Sequence, residues 1–196
     1  MNKMESWFNR FCANKHALKS VGNNPDYKDL ACVAANLSYR ASVLRALNFN
    51  GKNSEGKLAR LDGEKIVIDF LYKIFESQNV ASLDYVSDVW SKIYDTYKKH
   101  NIEDYTYGNA QKWVNMSIKY YIILLKHFKI ECENLTQIPV FPVDRIMINH
   151  IKKDLDISFD GSWSNCNDIV ALKDYICKVK SKVGSTLFEY ELDAWN

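Results

Sequence analysis

A chain of 196 residues with 47% hydrophobic residues can fill one sizeable core and falls within the usual size of a single domain. A net charge of +2 is too small to mark a nucleic-acid protein by itself, and the longest apolar run, Tyr120 to Leu125, is far below the ~20 residues that a membrane span needs. Seven glycines and three prolines, with no Ser/Gly/Pro-rich linker and no internal repeat, leave no visible boundary between separately folding parts.

The opening stretch MNKMESWFNRFCANKH scatters charges where a signal peptide would carry an apolar block of roughly 7–15 residues, so a cytoplasmic protein is expected. Segment 28–48 places Leu30, Val33, Leu37, Ala41, Leu44 and Leu47 at steps of three and four, then meets the turn-like FNGKNSEGK. Segments 63–78 and 84–99 repeat that period, the second with Asp84 placed to cap it. Segment 110–128 is apolar on nearly every face, except that Lys112, Asn115, Lys119 and Lys126 fall on one narrow stripe. Such a helix belongs at the centre of a bundle, with one strip reaching solvent or a cleft. Helices follow at about 143–154 and 167–182, separated by the loop DISFDGSWSNCND. No run alternates with period two, so the expected fold is all-α. It is one compact domain over 1–196 with a central buried helix.

Common catalytic signatures are missing: the chain has no GxSxG, Walker loop, GxGxxG or HExxH. His16, His100, His127 and His150 stand far apart and carry no ligand spacing. Cys12, Cys32, Cys132, Cys166 and Cys177 form an odd set without CxxC or zinc spacing, which points to reduced, mostly buried thiols and to no metal or other cofactor. The charge is uneven, however. From Lys92 to Lys153 there are ten Lys/Arg against six Asp/Glu, a mildly basic stretch compatible with a phosphate-facing surface.

Two local patterns carry chemistry. Gly108 and Asn109 suggest a tight turn that would set Lys112 in the first turn of the apolar helix, where the dipole and partial desolvation both favour a neutral, nucleophilic amine. In IPVFPVDR, two prolines stiffen the approach to Asp144, a carboxylate at a helix entrance.

Together, Gly108-Asn109-Ala110-Gln111-Lys112 and Pro142-Val143-Asp144 resemble the helix-hairpin-helix DNA glycosylases. In the bifunctional members, a G-x-G-x-K hairpin delivers a catalytic lysine and a later P-V-D supplies an aspartate. The 32-residue separation and the IPVFPVDR wording are most similar to the archaeal 8-oxoguanine glycosylase branch. The likeness covers roughly residues 100–155, with Ala110 in place of the second hairpin glycine and no iron–sulfur cysteine cluster.

The resemblance implies two helical halves around a cleft, a helix-hairpin-helix core at about 100–155, and a monomer that acts on double-stranded DNA containing a damaged or modified base. Lys112 would be the Schiff-base nucleophile and Asp144 its electrostatic or general-base partner, acting on a base flipped out of the stack, with AP lyase activity as an open addition. Tyr107, Trp113, Phe141, Trp163 and Trp195 could wall the base pocket, each against the alternative of ordinary core packing. Gly108, Asn109, Gln111, Lys119, Arg145, Lys152 and Lys153 could meet DNA, as could Lys126 and Lys129, against the alternative of a solvated face. The rival readings are a non-catalytic helical DNA-binding protein and an interaction protein, in phage defence for example. The excised base is open between 8-oxoguanine and another modified base.

Overall fold

The computed structural model describes residues 3–12, 22, 24–46, 54–77 and 79–195. Their regular structure is entirely helical: α1 (Lys3–Phe11), α2 (Tyr27–Ala46), α3 (Ser54–Glu76), α4 (Leu83–Lys99), α5 (Tyr107–His127), α6 (Glu133–Thr136), α7 (Arg145–Leu155), a 3-10 turn (Trp163–Asn165), α8 (Ile169–Lys180) and α9 (Leu187–Asp193). Among the described residues there is no strand, and no helix is long and apolar enough to cross a membrane. Leu47 and His16 lie outside the described residues.

α5 is the axis of the fold. Every residue from Trp113 through Leu125 is buried, so the helix is enclosed on all sides, as its apolar composition requires. α2 lies along it as the most extensive helix pair, α1 and α4 flank it, and α3 closes against α2 and α4. Trp113 fills the centre, its ring edge-on to Tyr39 and Tyr97 and its Nε1–H donating to the Ala35 carbonyl at 3.1 Å. The approach of α3 to this ring explains Gly63, where a Cβ would stand 2.7 Å from the indole.

Several boundaries differ from the periodicity. α3 begins at Ser54, within the stretch read as a turn, because Leu58 and Leu61 are exposed and add no apolar period. The cap of α4 is Ser82, whose hydroxyl accepts from Tyr85 N–H. Asp84 instead lies in the first turn and pairs with Lys173 at 2.5 Å. α5 starts at Tyr107 with Thr106 as cap, so Gly108 and Asn109 are helical and make no hairpin turn, and Lys112 sits in the second turn. α1, α6 and α9 are short helices without a long apolar period. None of the five cysteines is in a disulfide; Cys12 and Cys132 are buried, whereas Cys32 and Cys177 are exposed.

Candidate functional site

Asp144 caps α7. Its Oδ1 accepts from Ile146 N–H at 3.0 Å and Met147 N–H at 3.1 Å, satisfying two of the amides that a helix start leaves open. That leaves Oδ2 to face Lys112, whose Nζ stands 3.0 Å away. The pair is largely buried, with 14% and 8% of the two side chains exposed, so it reaches a cleft without being bathed in water.

The proline-bearing strap before Asp144 is held by side chains of α5. Gln111 donates to the Val143 carbonyl at 2.8 Å and accepts from Val143 N–H at 3.0 Å, mimicking one rung of a sheet. Asn115 donates to the Phe141 carbonyl at 2.9 Å and to Gln111, and Trp90 Nε1–H donates to Asn115. A strap that can pair with no strand thus has its buried backbone satisfied by two amides one turn apart on α5. Gln111 and Asn115 thereby set the height at which Asp144 meets Lys112.

A second clamp seats Trp163. Gly108 N–H donates to the Cys166 carbonyl at 2.9 Å and Thr106 Oγ1–H to the Ser164 carbonyl at 2.8 Å, which lays the 3-10 turn on the first turn of α5. The approach is so close that a Cβ on Gly108 would stand 1.7 Å from the Trp163 carbonyl oxygen. Trp163 consequently covers Lys112, with the amine 4.5 Å from the ring centroid.

On its other side the pair opens into a cavity of about 250 Å³, near the small end of the range of ligand sites, roughly 300–1,000 Å³. α5 contributes Lys112, Met116 and Tyr120; α2 contributes Ala41; the α7 entrance contributes Asp144 and Ile146. The remaining wall comes from the two ends of the described chain, Arg10 and Phe11 of α1 and Trp195 beyond α9. Phe11 meets Trp195 edge-on at 5.6 Å, and Arg10 Nη1–H donates to the Trp195 carbonyl.

The sequence-derived residues divide accordingly. Lys112 and Asp144 meet, Trp163 lies over Lys112, and Trp195 lines the cavity that the pair borders. Tyr107 does not line the cavity but stacks on Tyr94 at 4.1 Å; Trp113 and Phe141 are core. Gly108, Asn109 and Gln111 are buried and do structural work, so they offer no open surface to a phosphate. Lys119 is 1% exposed and pairs with Glu191 at 2.5 Å, which removes it from any DNA-facing stripe. Lys126 pairs with Glu133, while Lys129, Arg145, Lys152 and Lys153 are exposed. Arg10, Phe11, Met116 and Tyr120 were not singled out from the sequence; the spacing of Trp7, Phe8 and Phe11 is the one signal that a helix precedes Cys12. Among the described residues no group of three or more His, Cys, Asp or Glu side chains could hold a metal ion.

Compared with models of protein families, with curated proteins and with solved structures, the chain matches none.

Proposed function

We propose that the protein is a DNA glycosylase that excises a damaged or modified base, with Lys112 as nucleophile and Asp144 as its proton acceptor and electrostatic partner. The observation that carries this reading is the meeting of Lys112 Nζ and Asp144 Oδ2 at 3.0 Å on the edge of the cavity. The likeness of the two motifs to the glycosylase pattern supports it.

The chemistry follows from that contact. Asp144 takes a proton from Lys112, and the free amine attacks C1′ of a flipped nucleotide. The bond from C1′ to the base breaks, and its electron pair leaves with the base, which takes up the proton that Asp144 received and so restores the carboxylate. Ring opening gives an imine between Nζ and C1′. Loss of a C2′ proton then expels the 3′ phosphate, which is the lyase step. The Asp144 carboxylate, held in place by the α7 amides, faces the positive charge that develops on the sugar.

Borohydride trapping on a panel of duplexes, each with one modified base, tests this directly. Lys112→Gln should keep the fold and lose trapping and strand cleavage together. Asp144→Asn keeps a capping oxygen, so its stability should hold while base release falls on the order of 10²–10³-fold. Base release without strand cleavage in Lys112→Gln would make water the nucleophile. Wild-type behaviour of both variants on every duplex would leave the pair as a structural tie between α5 and α7 and sink the reading.

A further inference from the structure

The proposed chemistry leaves one buried charged pair unused. Lys119 lies two turns along α5 from Lys112, and its Nζ is 2.5 Å from Glu191 Oε1 with only 1% and 2% of the side chains exposed. The same ammonium stands 5.0 Å from the centroid of Trp195 and 5.0 Å from that of Phe11, with Tyr120 at 5.8 Å. Phe11, Tyr120 and Trp195 are three of the cavity's walls. Trp195 follows Glu191 by four residues, so the two share one face of α9 and its extension, and a single lysine touches both.

We propose that Lys119 and Glu191 are the positioning pair that seats Trp195 as a wall of the cavity that Lys112 also lines. A charge pair taken this far out of water needs a reason, since apolar residues of similar volume often hold helices together equally well. Here the pair gives α9 one register on α5, the register that brings Trp195 under Arg10 and against Phe11.

The seating is coupled to protons. Burial raises the Glu191 carboxyl to about 7; Lys119 opposes that shift from α5, and Asp144, at the α7 entrance, adds to it. A group whose value is higher when docked than when exposed favours docking while protonated, so docking weakens as pH rises through about 7.

Acrylamide quenching of Trp195, taken as the difference between the wild type and Trp195→Phe, reads the seating without reference to any activity. In the wild type, quenching should rise by about twofold or more between pH 5 and pH 8. Glu191→Gln, a neutral isostere, should stay low and flat. Lys119→Met, which removes the cation that holds the carboxyl down, should show its rise displaced to higher pH. A flat wild-type profile, or a rise retained in Glu191→Gln, overturns the proposal, and the wild-type arm holds even if a variant fails to fold. A second arm rests on the glycosylase reading: at pH 8 the wild type should show a KM for base release about twofold or more above that of Glu191→Gln, with little difference in kcat, as expected when a binding wall and not the reacting pair is disturbed. Absence of base release in the wild type would count against the glycosylase reading alone, because the quenching arm stands by itself.

Discussion

Asp144 and Glu191 show how differently two carboxylates can be read from a sequence. Asp144 announces itself locally: a strap ending in Pro-Val-Asp before a helical period needs a cap, and the structure gives it two amides to accept from. Nothing near Glu191 in the chain says that it will be buried, because the lysine that receives it lies on α5, far away in sequence. For the same reason Lys119 looks like part of a solvated stripe until α9 covers it. The burial has a thermodynamic signature. The folded value of Glu191, about 7, lies above its ordinary 4.5, so its contribution to stability is fully present below about pH 4.5 and lost as pH rises through about 7. Melting temperatures should therefore fall across that window in the wild type relative to Glu191→Gln. Parallel curves for the two proteins would mean that Glu191 ionises as it would in water.

At the level of elements, the six longer helical periods were legible because apolar spacing is a local property, and their ends were less so. The start of α5 moved upstream because Thr106 offers a capping hydroxyl and because Gly108, read as a turn residue, is small for another reason, the carbonyl of Trp163 pressed against it. The role of Gln111 was hidden too. Its side chain looks like a surface amide in the sequence, yet it pairs with both backbone groups of Val143 and holds the strap. Gln111→Ala would orphan a buried N–H and a buried C=O, each worth roughly 1–3 kcal/mol. We expect the urea midpoint to fall by the equivalent of about 2 kcal/mol or more and, under the proposed function, base release to fall with Lys112 and Asp144 still present. An unchanged midpoint would show that water replaces the amide and that the strap supports itself.

Across the whole molecule, the cavity is assembled from both ends of the described chain around one central helix, and this is why no single sequence window displays it. The charges around it permit a test of how DNA would lie. Arg145 is exposed beside Asp144 at the start of α7, and Lys152 and Lys153 are exposed toward its other end, roughly 10 Å along the axis at 1.5 Å per residue. Under the proposed function, a duplex whose flipped nucleotide enters the cavity would pass its backbone over the α7 entrance, with Arg145 on a phosphate next to the flipped one. If the strand then follows α7, Lys152 and Lys153 meet later phosphates, since such contacts position a protein without reading sequence. Each lost phosphate contact lowers the magnitude of the slope of log affinity against log salt by about 0.9. Arg145→Ala should thus flatten the slope by about one contact, Lys152→Ala with Lys153→Ala by about two, and all should weaken modified and unmodified duplexes alike. An effect confined to Arg145 would turn the strand away from α7 at the cavity mouth. No effect from any of the three would place DNA on another face and leave the Lys112–Asp144 pair without access to a sugar.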